Sequence, residues 1–439
     1  MESLPKDIEP TPLLANIGAR WRFGGLWRHR DFMRLWAGQT ISKLGSQIGG
    51  GAFGLIAILM LSATPVQMGL LAAAQSLPML LLGLPAGVWV DRMHRRPIMI
   101  AADLGRLLLL AAIPLAAVLG WLDIELLCIV AALVSILTVF FDLAYGAFLP
   151  TLVPREQLVE GNSKLGVSDS LAEIAGPAAG GALVQFVGAP LAIALDALSF
   201  LISGLALWRI RTPEPHMSIP AQRPSLWRDI GEGLRTTLGT PLLRALLGCT
   251  IFFNLAGGII GSLYALYAIR ELGLTPVMLG AVIGVGGVSA LLGALISERI
   301  ARRLGIGPAI SAAVVMIGIM GLLLPLAYGV FAVPMLILGQ AGDAAWSIYL
   351  INELTVRQSA TPNRLLGRVN ASMQFLAAGA VPLGAIAGGL LAEAFGLRAA
   401  MAVGVGMILC GCVWILYSPL PRLLTLPASA ELNSQEHEG

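Results

Sequence analysis

Apolar runs of about 20 residues recur from one end of this chain to the other, and no other feature limits its fold as strongly. As a helix rising 1.5 Å per residue, each run crosses roughly 30 Å of hydrocarbon. Of the 439 residues, 57% are hydrophobic and 12% charged, and the mean hydropathy is +0.82. A water-soluble domain of this size cannot hide so much apolar surface, so the expected solvent is lipid. About twelve spans are expected, at 35–61, 66–90, 97–120, 124–150, 165–187, 189–209, 243–269, 274–298, 306–327, 331–355, 368–394 and 396–419. Residues 187–190 and 394–397 leave very tight turns between them. Residues 1–30 are polar and basic, with no apolar core or small-residue cleavage site, and read as a cytosolic leader. The polar stretch 423–439 reads as a cytosolic tail.

Net charge is only +3, so its placement carries the information. With both termini cytosolic, 24 of the 28 Lys and Arg fall on the cytosolic side or at its helix ends, two (Arg270 and Arg398) fall outside, and two (Lys43 and Arg106) lie well inside spans. That asymmetry follows the positive-inside rule. Cys128, Cys249, Cys410 and Cys412 sit in apolar spans without zinc-type spacing and read as small fillers. His29, His94, His216 and His437 all fall outside the spans, which excludes a histidine proton relay through the membrane.

The densest charge cluster, "GVWVDRMHRR" at 87–96, has a second copy, "ALISERIARR" at 294–303, at an offset of 207 residues. At an offset of 208, Pro154, Leu158 and Asn162 match Pro362, Leu366 and Asn370; Gly180, Gly181 and Gly188 match Gly388, Gly389 and Gly396. The chain therefore divides into two similar six-helix halves, 31–209 and 243–422, joined by a polar linker over 210–242. Two such halves around a midplane site form the architecture of one large class of secondary transporters.

Those residues resemble the major facilitator superfamily, which implies an all-α membrane protein of 12 transmembrane helices in two pseudo-symmetric six-helix bundles. "GVWVDRMHRRP" is similar to that superfamily's signature between helices 2 and 3, with His94 where a glycine is usual. The resemblance implies that Gly87, Asp91, Arg92, Arg95 and Arg96 form a cytosolic latch that helps hold the outward-open state. "RDFMRLWAGQTISKLGSQI" (30–48), "FFDLAYGAFLPTLVP" (140–154), "AGPAAGGALVQFVGAPLAIALDALSF" (175–200) and "TPNRLLGRVNAS" (361–372) resemble the enterobactin-exporter and macrolide-efflux branch. "AGPAAGG" is also similar to a glycine–proline motif associated with antiporters.

Several residues have both a functional and a plain reading. In span 5, Gly176, Pro177, Gly180 and Gly181 either build a central helix interface that rocks during turnover or simply pack closely. Asp103 and Arg106 in span 3 either join Asp91 and Arg95 in a switching network or form an i,i+3 pair that meets its own burial cost. Asp142 lies well inside span 4 with no basic residue within a helical turn. A carboxyl there can load and release protons as the two sides alternate, or it can rest at a helix contact near Tyr145. Asp343 in span 10 poses the same question for the second half, as does Glu173, the deeper partner of Asp169, in span 5. Asp196 fits a local hydrogen bond to Ser199, and Glu353 an interfacial arginine.

Span 1 carries a polar stripe of Gln39, Ser42, Lys43, Ser46 and Gln47 that suits a water-filled cavity wall. Lys43, about 12 Å from the helix start, either joins that wall or snorkels to the cytosol. The resembled branch usually has an acid where this chain has Ser46, which shifts weight to Asp142 and Asp343. The arginine-bearing span 4 pattern of many drug antiporters is also missing. Asn254, Tyr264 and Tyr267 in span 7, with Trp346 and Tyr349 in span 10, either contact a bulky amphipathic substrate or pack and anchor the helices.

The expected activity is export of a small molecule by alternating access and proton antiport, across a bacterial inner membrane. The resemblance implies a drug, siderophore or other secreted metabolite; a same-fold importer or facilitator is the alternative. No GxxxxGK[ST] loop is present, which argues against direct use of ATP. No cofactor or metal is expected. The partners are the substrate, protons and the bilayer; the basic loop is a short turn against headgroups, so nucleic acid is not among them. The expected state is a monomer. An intramembrane enzyme would need a convergent catalytic set that the spans do not offer.

Overall fold

The computed structural model describes residues 25–214 and 226–426. The expected leader over 1–24, the middle of the linker and the tail beyond 426 lie outside the described residues. The N-terminal half consists of α1 (Arg30–Leu59), α2 (Pro65–Val90), α3 (Arg95–Leu119), α4 (Ile124–Leu152), α5 (Leu158–Val187) and α6 (Ala189–Trp208). A helix in the linker, α7 (Leu226–Gly239), leads into the second half. There α8 (Pro241–Leu266), continued by a π turn, is followed by α9 (Pro276–Leu304), α10 (Ile306–Gly321) and the short α11 (Leu323–Leu326). The tenth span is two pieces, α12 (Ala332–Gly339) and α13 (Gly342–Ser359), before α14 (Asn363–Phe395) and α15 (Leu397–Leu416).

Among the described residues, eleven helical stretches are long and apolar enough to cross a membrane. The twelfth, α1, has 30 residues but carries the polar stripe, and its Gln39 and Ser42 are buried inside the N-terminal half. Several helices extend past the expected spans toward the basic loops. Thus α1 begins at Arg30, α5 at Leu158 and α14 at Asn363, while α9 runs on to Leu304. The extra turns are polar, so hydropathy ends before the helix does. Thr64 starts α2 with a capping box, its hydroxyl accepting from the Gln67 amide while the Gln67 side chain accepts from Thr64. Asp123 and Thr275 cap α4 and α9 in the same sense. The very tight turns are made by Gly188 and Gly396, at φ 97° and 88°, a region open to glycine and costly for other residues.

The two halves touch most extensively through two contacts related by the internal repeat, and α8 also meets α2 and α1. In one, α5 crosses α9: Gly181 lies on the carbonyl of Pro276, and Gly280 lies on the carbonyl of Pro177. In the other, α14 crosses α2: a Cβ at Gly389 would stand 2.8 Å from the Pro65 carbonyl, and one at Gly69 would meet the carbonyl of Ala385. The neighbouring glycines face inward within each half. Gly176 and Gly180 receive α1 at Gln47 and Ile48, while Gly384 and Gly388 receive α8 at Leu255 and Ile259. One helix of each pair thus uses one glycine face for its own bundle and a second for the opposite one.

Both contacts lie at the ends remote from the basic loops, and the apolar core follows the same division. One buried cluster runs through both halves there, joining Ala52, Phe53 and Leu71 to Leu263, Leu279 and Ala392. Toward the basic loops the halves bury separate clusters, around Phe148 and Leu207 in one and around Tyr349 and Val369 in the other. The molecule is closed at one end and parted at the other.

Gly181→Val puts side-chain atoms onto the Pro276 carbonyl, where overpacking costs about 1–3 kcal/mol. The expected result is a shift toward the arrangement with this end open. In a background lacking the four native cysteines, disulfide yield between Gln185→Cys and Val277→Cys should fall at least severalfold. An unchanged yield would show that the crossing tolerates a Cβ.

Candidate functional site

Each half encloses a polar cavity among its own helices. In the N-terminal half a cavity of about 280 Å³ is lined by Lys43 and Ser46 of α1, Arg106 of α3, Asp142 of α4 and Asp196 of α6. Arg106 and Asp103 are one turn apart on α3, fully buried, and joined by an ion pair. The guanidinium also lies between two rings, 4.3 Å from the centre of Phe141 and 4.1 Å from that of Phe200. This is the i,i+3 pair: Arg106 lines the cavity, Asp103 is buried behind it, and neither pairs with Asp91 or Arg95 among the described residues.

Asp142 lacks a basic neighbour along its own helix, but in space it lies within the fields of Lys43 and Arg106. It is exposed and shares the cavity with Lys43 without closing an ion pair among the described residues. Lys43 therefore lines the cavity rather than reaching past the helix end. Gln39 ties α1 to α6, its Nε2 donating to the Ser203 hydroxyl over 2.9 Å. Tyr145 stacks on Phe141 with ring centres 6.0 Å apart, and its ring is absent from the cavity lining.

Asp196 has two sets of neighbours. Ser199 does donate to its carboxylate over 3.3 Å, yet Asp196 also lines the cavity beside Arg106 and Asp142. A Cβ at Gly45 or Gly49 would land on Asp196 or Ser199. Glycines four residues apart on α1, opposite an acid on α6, are the sequence signal that could have marked it.

The C-terminal half holds a cavity of about 400 Å³ whose polar lining includes Asp343, Gln340 and Tyr264, set among Phe253, Trp346 and aliphatic side chains. Gly339 and Gly342 flank the break between α12 and α13, and Asp343 sits in the first turn of α13, where amide groups favour a carboxylate. Its carboxylate faces Gly286 of α9, while Gln340 Nε2 donates to the Val282 carbonyl over 3.1 Å. Glu173 is exposed on α5, across the boundary between halves, close enough for its charge to act on Asp343. The aromatic group of the second half divides. Trp346 and Tyr264 line the cavity, whereas Tyr349 is buried with its hydroxyl 3.1 Å from that of Thr250. Tyr267 donates to the Leu324 carbonyl over 3.1 Å, and Asn254 Nδ2 to its own helix at Thr250 over 2.8 Å. None of these three is among the residues lining the cavity. Glu353 pairs with Arg357 at 3.6 Å.

The basic loop is anchored within its own half. Glu214 accepts from the backbone amides of Arg95 and Arg96, each over 2.8 Å, and the Arg96 side chain donates to the carbonyls of Leu207 and Trp208. Asp91 ends α2 and Arg92 is exposed, while Gly87 has open space beside it. In the second copy, Glu298 pairs with Arg302 at 3.3 Å on the exposed end of α9.

Two helical bundles, paired through α2 with α14 and α5 with α9 around polar cavities, define a membrane transporter of the major facilitator type. The family model described as transmembrane secretion effector matches residues 25–438, and the chain belongs to that family. It is 30% identical to the multidrug efflux pump Tap of Mycolicibacterium fortuitum, covering 85% of this chain and 92% of Tap. It is 27% identical to macrolide efflux protein A of Streptococcus pyogenes over 56% of this chain and 60% of that protein. Among solved structures, a bacterial homologue of the iron transporter ferroportin in its inward-facing state aligns with a TM-score of 0.72 at 18% identity, covering 90% of this chain and 99% of that one. The same homologue in its outward-facing state aligns at 0.54.

Arg106→Gln leaves the Asp103 carboxylate buried without its cation, a loss of about 3–5 kcal/mol. The expected outcome is a lower thermal unfolding midpoint in detergent. Pairing it with Asp103→Asn should recover much of the loss. A double variant as unstable as Arg106→Gln would mean that the rings, not the carboxylate, hold Arg106.

Proposed function

We propose that the chain exports drug-like small molecules or other secreted metabolites, siderophores included, by alternating access coupled to protons moving the opposite way. One-sided closure is the observation that carries this reading: the halves meet at the ends remote from the basic loops and part toward them. By the positive-inside rule those loops face the cytosol of a bacterial inner membrane, with both termini on that side. An exporter loads from there. The names of two relatives, a multidrug efflux pump and a macrolide efflux protein, support efflux as the direction. A single chain supplies both walls of the cleft, so a monomer suffices.

Asp142 is the proposed coupling carboxyl. It shares its cavity with two cations, Lys43 and Arg106, so gaining or losing a proton changes the balance of a group held together by charge. Asp343 and Glu173 form the second candidate pair, across the boundary between the halves. Asp91, Arg92, Arg95 and Arg96 act as the latch when the parted end closes and the opposite end opens. Gln39 and Ser46, with Lys43, form the wall of the proton and substrate path on α1; Tyr264 forms it on α8.

Inside-out vesicles with a respiration-driven pH gradient and a pH-sensitive dye provide the test. Candidate substrates should trigger proton release in wild type, and Asp142→Asn should abolish it. Release that survives in Asp142→Asn but is lost in Asp343→Asn would move the proton site to the second half. A substrate shown to bind, but releasing no protons in wild type, would contradict antiport.

A further inference from the structure

Outside both cavities, a groove of about 550 Å³ opens between the start of α8 and the end of α15. It is separate from the C-terminal cavity. α15 turns Ile408 toward that cavity, and Leu409, Cys410, Val413, Trp414 and Tyr417 toward the groove. The apolar wall is built with care. The Trp414 ring lies directly against Gly248, where no Cβ fits, and its Nε1 donates to the Ala245 carbonyl over 3.1 Å. That nitrogen is already satisfied, so the ring offers the groove an apolar face.

The rim is different. Arg244 lies in the first turn of α8, about 4.5 Å from the helix start, and it is exposed. Among the described residues its guanidinium has no ion-pair or hydrogen-bonding partner. Opposite it, Tyr417 ends α15 and is 90% exposed, with Ser418 beside it. An uncompensated guanidinium thus stands at the helix ends, at the head of an apolar slot that runs toward mid-membrane. The end is also the one that carries the basic loops, where anionic headgroups gather.

We propose that this groove is a binding site for an anionic phospholipid. Arg244 holds the phosphate through its forked donors. Tyr417 and Ser418 stand at the headgroup, and one acyl chain lies along Trp414 and Cys410. A zwitterionic lipid brings a cation close to Arg244 along with its phosphate, so the site prefers phosphatidylglycerol to phosphatidylcholine.

The test uses full-length purified protein, delipidated and then given phosphatidylglycerol, phosphatidylcholine or glycerol 1-phosphate. Bound lipid is counted by native mass spectrometry, and a phosphatidylglycerol with a photoreactive acyl chain reports position. Wild type should retain phosphatidylglycerol preferentially and carry the label on the peptide spanning 409–419. Arg244→Gln should lower retention about tenfold, as expected for a lost charge-assisted phosphate contact, and Arg244→Lys should restore part of it. Cys410→Phe, which narrows the slot without altering charge, should lower retention as well and keeps the test open if Arg244→Gln misfolds. Equal retention of the two lipids, label elsewhere, or full competition by glycerol 1-phosphate alone would overturn the proposal.

Discussion

The structure depends on backbone approaching backbone where the halves meet. Lipid tails are as apolar as leucine, so helices in a bilayer gain little from hiding apolar surface and much from close packing. The α5–α9 and α2–α14 crossings use this: each sets glycines on carbonyl groups of the opposite half, with no side chain between. Contacts of this kind are tight when made and leave no bulky group to drag past when broken. They need not hold permanently, which suits the opening that the proposed alternating access requires. Because the same helices use a second glycine face for their own bundles, each bundle can turn as one body.

The two bundles share this frame but differ in chemistry. The N-terminal cavity concentrates charge of both signs, with Arg106 held between aromatic rings and paired to the buried Asp103, and Asp142 and Lys43 more open. The C-terminal cavity has a single carboxylate, Asp343, among aromatic and aliphatic walls. A charged group in hydrocarbon is costly unless partnered or hydrated. The first cavity sets its acids near two cations, and the second sets its acid in the first turn of a helix beside a break. Under the proposed function, that difference divides the labour, with proton chemistry in the first cavity and an apolar substrate surface in the second.

Much of this was legible in the residues. The repeat at an offset of 208 marked Gly181 and Gly389, and these prove to be the equivalent contacts of the two crossings. Their partners, Pro65 with Gly69 and Pro276 with Gly280, were not seen, because nothing local distinguishes a glycine facing its own bundle from one facing the other. Charge pairing was partly hidden for a similar reason. Helical spacing showed Asp103 with Arg106, but the meeting of Asp142 with Lys43 and Arg106 depends on three helices converging. Asp196 was set aside as a local hydrogen-bonding group, and it is one; its place in the cavity follows from glycines on a different helix. Tyr267 and Tyr349 illustrate the reverse, since aromatic rings with polar tips serve packing as well as they serve a ligand.

The central claim is that the two ends open reciprocally about the glycine crossings. Spin-label distances measured at both ends of the α5–α9 pair test it most directly, with labels at Ser163 and Arg299 toward the basic loops and at Val187 and Thr275 at the remote end. On changing pH, or on adding an exported substrate, the first distance should shorten while the second lengthens. Distances that change together, or a remote end that stays closed in every condition, would contradict alternating access in this chain.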